Sequence, residues 1–468
     1  MREKGQNEVA KTLETPVFSR GREILTEKIQ LSDHFTYGKL FRFTFPSIIM
    51  MIFTSIYSVV DGFFVSNFAG KTAFASINLV MPFIIILGSL GFMIGTGGTA
   101  LVSRVLGEGD EKKANHYFSM LIWLSLLIGI VLAILGVAFM RPVASLLGAT
   151  KEMIDDCVLY GRVVIAFLAP YMLQNVFQSF LIAAEKPNLG LAATLAAGIT
   201  NMVLDAVLVG VLRWGVFGAA LATGISQTIG GLLPFIYFIR PNSSKLHLTK
   251  AKFKLRPILQ ACANGSSELM SNISGSVVGI VYNFQLLKYL GENGVSAYGV
   301  LMYVQFIFIA IFVGYSIGCA PVVSFHYGAG NHSELQNLLK KSTRIVGSLS
   351  IILTVLALVL ANPLAKMFVG YDAELLAITS HAFKLFSFSF LLAGFNIFAS
   401  SFFTALNNGA ISAAISFLRT LIFQTSSILI LPLILDVDGL WGANVAAEIF
   451  AFVISLVFLV ANRKRYHY

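Results

Sequence analysis

The chain has 468 residues, 56% hydrophobic and only 12% charged, with a mean hydropathy of +0.79. A soluble protein carries about 25% charged residues, so the composition excludes a soluble enzyme and points to a polytopic membrane protein. The net charge of +10 would suit nucleic acid as a partner, but its distribution assigns it to topology.

Residues 1–34 read as a charged cytoplasmic tail, and nothing before residue 40 has the apolar core of a signal peptide. A single membrane crossing needs about 20 mainly apolar residues. Twelve stretches meet that standard, near 40–66, 77–103, 117–140, 159–184, 189–212, 216–239, 257–287, 296–325, 344–361, 382–405, 411–435 and 440–461. Residues at span edges are counted with the adjoining loop. The two tails and even-numbered loops then hold 23 of the 33 Lys and Arg, against 7 in the odd-numbered loops. Basic loops stay in the cytoplasm, so both termini are expected there, in the cell (inner or plasma) membrane. Lys245 to Arg256 offers a polybasic segment that could contact lipid. Cys157, Cys262 and Cys319 are scattered, which argues against a disulfide framework or a thiolate metal site.

The chain repeats itself. VSRVLGEGD (102–110) is matched by VSFHYGAGN (323–331) at an offset of 221, shared by Pro142 with Pro363 and Met81 with Met302. GVFGAALAT (215–223) is matched by GLWGANVAA (439–447) at an offset of 224. Residues 35–240 and 257–468 therefore read as two six-span lobes joined by a linker, 241–256. Both lobes enter the membrane in the same sense, an arrangement that suits a transporter with its site between repeats. Each Gly-x-Gly loop reads as a turn into a short amphipathic surface helix. It lacks the Lys-Ser/Thr of a phosphate loop.

A carboxylate inside the membrane is costly and marks a functional site by default. Asp61 lies late in the first span, about 22 Å along a helix from Pro46. Pro46 either kinks that helix or sits harmlessly in its first turn. Asn201 and Asp205 are spaced i, i+4 and share a helix face, and Thr223 follows in the sixth span. With Asp61 they would form a hydrophilic pocket that holds a proton, or Na+ through oxygen ligands. The alternative is that they cross-link neighbouring helices. Glu268 shares a face with Asn264 and Asn272 and would attract a cationic substrate or bind a second cation, unless an interhelical hydrogen bond satisfies it. The acids are not duplicated with the repeat: the matching positions are Tyr282 and Ser47. Arg419 is expected to pair with Glu448 or to approach backbone carbonyls, the structural pair being favoured. His326 and His381 sit near span ends and read as interfacial. Among the aromatic and amide residues, Tyr57, Tyr303 and Gln305 are the candidates for a cavity wall, because rings attract cations.

The residues quoted so far, with FPSIIMMIFTSIYSVVDGFFVSNFAG, INLVMPF, GTGGTALVSRVLGEGD and NMVLDAVLVGVLRWGVFGAALAT, resemble the multidrug and toxic compound extrusion (MATE) transporters over nearly the whole chain after residue 35. The resemblance implies an all-α membrane protein of 12 transmembrane helices, two pseudo-symmetric six-helix lobes in a V. It implies antiport of cationic drug-like compounds against H+ or Na+. It also implies that Asp61, Asn201, Asp205 and Thr223 form the cation-coupling site, with Glu268 a second acid found in one branch of the family. That branch carries a further aspartate in the tenth span, which here, HAFKLFSFSFLLAGFNIFASSFF, has no acid. Asn272, Gln305 and Tyr57 are the accompanying candidates for substrate or a second cation.

A flippase for lipid-linked saccharides is the alternative reading, but its pyrophosphate would need buried basic groups, and only Arg162 and Arg419 stand as candidates against three acids. No HExxH or Walker sequence occurs, so neither an enzyme nor ATP-driven pumping is expected. No cofactor beyond the coupling ion, no nucleic acid and a monomer are the remaining expectations.

Overall fold

The computed structural model describes residues 29–468, so the tail expected over 1–34 lies, up to residue 28, outside the described residues. Every regular element among the described residues is helical. Helix α1 covers Tyr37–Phe64 and runs on as a π-helix, Val65–Ala69. Helices α2 (Lys71–Gly107), α3 (Glu111–Leu146), α4 (Ile154–Ala166) and α5 (Leu168–Ala183) follow. Helix α6 (Pro187–Leu204) ends in a π-helix, Asp205–Val211, and α7 covers Gly215–Ile239. After the linker come α8 (Leu255–Gly328), α9 (His332–Val369), α10 (Ala373–Ser387) and α11 (Phe390–Ala405). Helix α12 (Gly409–Phe417) leads through a π-helix, Leu418–Gln424, into α13 (Thr425–Ile430), and α14 covers Pro432–Tyr466.

Nine helices among the described residues are long and apolar enough to cross a membrane, or up to eleven if each of two bent pairs is one crossing. The pairs are α4 with α5, bent by 55°, and α10 with α11, bent by 48°. The chain is thus a multi-pass membrane protein. The shortfall from twelve falls at α8, where the expected stretches 257–287 and 296–325 form one run of 74 residues. Straight, such a helix would be about 111 Å long, against a hydrocarbon core of about 30 Å. At Gly291, however, φ is 62° and ψ −149°, a conformation open to a residue without Cβ. Tyr282 and Tyr298 would lie about 24 Å apart on a straight helix; their ring centroids are 4.3 Å apart and the rings are stacked. The chain therefore folds back on itself at Gly291. The Tyr282 hydroxyl fastens the first arm by donating to the Leu440 carbonyl of α14.

The sequence repeat is visible in two helix starts. Gly109 and Gly330 turn the chain with positive φ. Asp110 then accepts from the Lys113 N–H at 2.9 Å and Asn331 from the Glu334 N–H at 3.1 Å. No separate surface helix follows either turn, contrary to expectation. The capped turns are the first turns of α3 and α9, 36 and 38 residues long, because a side-chain cap satisfies the free amides and lets the helix run on unbroken into the apolar region.

Buried apolar residues of the second half form one large cluster, which also takes in Leu31, Phe35, Leu40, Phe43 and Ile48. Residues 31–48 therefore pack on the half that follows the linker. Where α2 crosses α8 the backbones nearly touch, as small residues allow in membranes. A Cβ on Gly265 would lie 1.9 Å from the Met93 carbonyl oxygen, and one on Gly97 2.0 Å from that of Ala261. Gly265→Val is expected to push these helices apart and destabilise the protein by about 1–3 kcal/mol. A fall in the melting temperature of the purified protein reads this out, and an unchanged value would contradict the close crossing.

Residues 31–37, the linker and the last residues of the chain gather at one end of the molecule, the terminal end. Glu185, which follows α5, accepts from the Leu31 N–H at 2.9 Å, and Glu334 accepts from the Phe35 N–H at 2.9 Å. The linker binds α3 through Asn115, which donates to the Lys245 carbonyl at 3.1 Å and accepts from the His247 N–H at 2.6 Å. Gln336 reaches the His467 carbonyl at 3.1 Å. His326, expected at an interface, is instead buried, with Phe35 and Phe325 set edge-on against its ring. The folded-back segment 31–35 covers it. His381 is exposed and pairs with Asp438 at 2.7 Å.

Candidate functional site

Oxygen-bearing side chains from five helices converge inside the first half. Helix α1 supplies Tyr57 and Asp61, α5 Gln174, α6 Asn201 with the adjoining Asp205, and α7 Thr223; Gln178 and Gln227 lie one turn from Gln174 and Thr223 on the same helix faces. Each pair is spaced i, i+4, which puts both side chains on one helix face. Helix α4 adds Tyr160. Asp61 and Asp205 lie close enough to interact directly. Tyr160 faces both acids and Thr223, and Tyr57 faces Asp61 and Gln174.

Asp205 is fully buried and Asn201 is 2% exposed. Neither carboxylate oxygen of Asp205 has a hydrogen-bond partner among the described residues, and Asp61 Oδ1 has none either. The same holds for Asn201 Oδ1, Tyr160 Oη and Thr223 Oγ1, and for the Oε1 atoms of Gln174, Gln178 and Gln227. A buried polar group left unpaired costs about 1–3 kcal/mol, and native interiors hold few of them. So many in one place mark a site whose partner is a ligand, an ion or water. Two carboxylates facing each other away from bulk water call for a positive charge between them, as a proton or a metal cation.

The backbone is irregular at the same place. Helix α1 passes into its π-helical end just after Asp61, whose carbonyl accepts from the Val65 N–H. Helix α6 does so at Asp205 itself. π-Helical turns occur frequently at functional sites. Pro46 lies well inside α1 rather than in its first turn, and the helix continues through it.

Around Glu448, in the second half, the buried polar groups are paired. Arg419 Nε lies 3.0 Å from both Glu448 carboxylate oxygens and Nη2 2.6 Å from Oε1, the pair expected from the sequence. Asn396 donates to Glu448 Oε2 at 2.7 Å and accepts from Ser455 Oγ at 3.1 Å. These groups satisfy one another, whereas those around Asp205 do not.

The structure brings Asp61, Asn201, Asp205 and Thr223 together. It does not bring Glu268 to them. Glu268 lies half-buried on the first arm of α8 with no ion pair or side-chain hydrogen bond among the described residues. Its expected companions are engaged elsewhere. Asn272 donates to the Glu268 backbone carbonyl at 2.8 Å, and Asn264 to Asn407 Oδ1 at 2.8 Å. Tyr57, grouped with Glu268 in the sequence reading, stands instead beside Asp61, against Gly198 of α6. Gln305 is half-buried on the second arm of α8, next to Phe306, whose carbonyl accepts from Ser55 Oγ at 3.3 Å. Tyr303 stacks on Phe368, centroids 6.1 Å apart, so its ring is taken up by α9. Sequence reading missed Tyr160, Gln174, Gln178 and Gln227. The i, i+4 spacing that singled out Asn201 and Asp205 also holds for Gln174 with Gln178 and for Thr223 with Gln227.

The family model described as MatE matches the chain twice, over residues 46–207 and 269–430. The multidrug export protein MepA of Staphylococcus haemolyticus (strain JCSC1435) is 25% identical over 440 residues, 91% of this chain and 94% of that protein. Among solved structures, the chain resembles an outward-facing multidrug resistance MATE family transporter of the MOP superfamily. The TM-score is 0.87 at 22% identity, over 94% of this chain and 98% of that one. It also resembles a MOP superfamily transporter from Pyrococcus furiosus Vc1 (DSM3638), with a TM-score of 0.86 at 22% identity and the same coverage. At these identities the structural likeness establishes the fold.

Proposed function

The chain belongs to the multidrug and toxic compound extrusion (MatE) family, and from that membership and the unpaired oxygens around Asp205 we propose that it is a secondary active multidrug exporter. It exchanges cationic, amphipathic organic compounds for H+ or Na+ across the plasma membrane, as a monomer with both termini in the cytoplasm. It is not an enzyme and uses no cofactor beyond the coupling ion. Twelve crossings form two six-helix lobes in a V. The double family match and the fold-back at Gly291, which divides α8 into two arms, support that count.

The single observation that carries the proposal is the contrast between two buried polar clusters: paired groups around Glu448, unpaired ones around Asp61 and Asp205. In the outward-open state a cation enters the Asp61–Asp205 site and drug leaves to the outside. In the inward-open state the cation is discharged and drug loads from the cytoplasm or inner leaflet. Pro46 is the point at which a change of charge at Asp61 is converted into bending of α1. Glu268 and Gln305, away from the acid pair, belong to the substrate path or a second cation site. The family's export of drugs, and the name of the Staphylococcus relative, support the direction of transport.

Everted membrane vesicles containing the full chain, with an ethidium-like dye added outside, test the proposal. Imposing a pH gradient or a Na+ gradient separately is expected to drive dye uptake with one of them. Uptake that ignores both gradients would contradict secondary active exchange.

A further inference from the structure

Helices α1 and α9 both start at the terminal end and are tied together there. Arg344 Nη1 donates to Tyr37 Oη at 3.0 Å. Lys341 Nζ donates to the Phe35 carbonyl at 2.6 Å and lies 5.5 Å from the centre of the Tyr37 ring. Beside this tie is an open cleft of about 350 Å³ lined by Tyr37, Arg344, Ile345, Ser348 and Leu349.

The cleft is cationic at its mouth. A guanidinium has five donors, and Arg344 spends one on Tyr37. Glu334, the one carboxylate of α9, lies about 15 Å along the helix from Arg344 and is already taken by His34, the Phe35 N–H and Asn337. Away from the mouth both helices expose apolar side chains in register. On α1 Tyr37 is followed by exposed Phe41 and Phe45, at i+4 and i+8. On α9 Arg344 and Ser348 are followed by exposed Ile352, Val355 and Val359. Cation, hydroxyl, then an apolar stripe is the profile of a phospholipid, headgroup first and acyl chains after. A soluble anion would have no use for the stripe.

We propose that this cleft binds the phosphodiester headgroup of an anionic phospholipid, with Arg344, Tyr37 and Ser348 at the headgroup and the chains along Phe41, Phe45 and Ile352. Basic pockets between transmembrane helices bind such headgroups. The proposal rests only on the chain being a membrane protein, not on what it transports.

Native mass spectrometry of the detergent-purified full chain tests it, with titration by phosphatidylglycerol or by phosphatidylcholine of the same acyl chains. One phosphatidylglycerol is expected to be retained in preference. Arg344→Gln is expected to weaken that retention about fivefold and leave phosphatidylcholine unchanged, while Arg344→Lys keeps most of it. Arg240→Gln, an exposed arginine just after α7, serves as the control and is expected to have no effect. Three results would overturn the assignment: undiminished retention by Arg344→Gln, an equal loss in Arg240→Gln (diffuse surface charge), or displacement of phosphatidylglycerol by millimolar inorganic phosphate (a site for soluble phosphate).

Discussion

Asp205→Asn abolishes energised export and leaves the protein folded in the membrane. The substitution keeps the side chain's size and shape, so packing around the fully buried Asp205 changes little. It removes the group that takes a proton or binds a metal cation, and it adds an amide N–H that donates to the facing Asp61 carboxylate in the cation's place. Exchange of one cation for one cationic drug moves no net charge, so the imposed gradient alone drives it, and a tenfold gradient, about 1.4 kcal/mol, sustains a roughly tenfold accumulation of drug. The variant is expected to lose that factor in the vesicle assay while still exchanging dye down its own gradient. Asp61→Asn should do the same, because each acid completes the other's site. If both variants kept gradient-driven export, the acids would be structural.

The second large effect lies in the other half. Glu448→Ala strips the partner from Arg419, whose side chain is 21% exposed, and removes an acceptor from buried Asn396. Breaking a buried ion pair from one side costs about 3–5 kcal/mol, whereas replacing both partners by apolar groups is often neutral or stabilising. The single variant should therefore melt well below wild type, and Arg419→Leu with Glu448→Leu should recover most of the loss. Thermal unfolding of the purified proteins, followed by tryptophan fluorescence, reads both. A Glu448→Ala variant that melts like wild type would show that the pair holds nothing together.

Most of the architecture was legible because membrane crossings announce themselves by length and composition. The convergence of Asp61, Asn201, Asp205 and Thr223 was legible from their cost in hydrocarbon and their spacing, and Arg419 with Glu448 from the scarcity of alternatives. What stayed hidden depends on tertiary packing. Gln174, Gln178 and Gln227 are neutral amides in apolar runs, and nothing local says which face of α5 or α7 turns inward. Tyr57 was grouped with Glu268, although its i, i+4 spacing also puts it on the face of Asp61; Gly198 of α6, lacking a side chain, makes room for it there. His326 read as interfacial because its burial is produced by residues 31–35, remote in sequence. The place that Asp61 holds in the first half is held in the second by Tyr282, whose hydroxyl is satisfied by Leu440. The repeat in sequence does not extend to the acids.

The central claim is that a small cation and the drug exclude one another through the Asp61–Asp205 pair. Its most direct test is to add an ethidium-like cation to weakly buffered, detergent-purified protein and measure what is released. The account predicts that wild type releases a proton, seen with a pH dye, or Na+, seen with a Na+ electrode, and that the Asp61→Asn, Asp205→Asn double variant releases neither. Drug binding to wild type with no cation released, or equal release from the double variant, would contradict it.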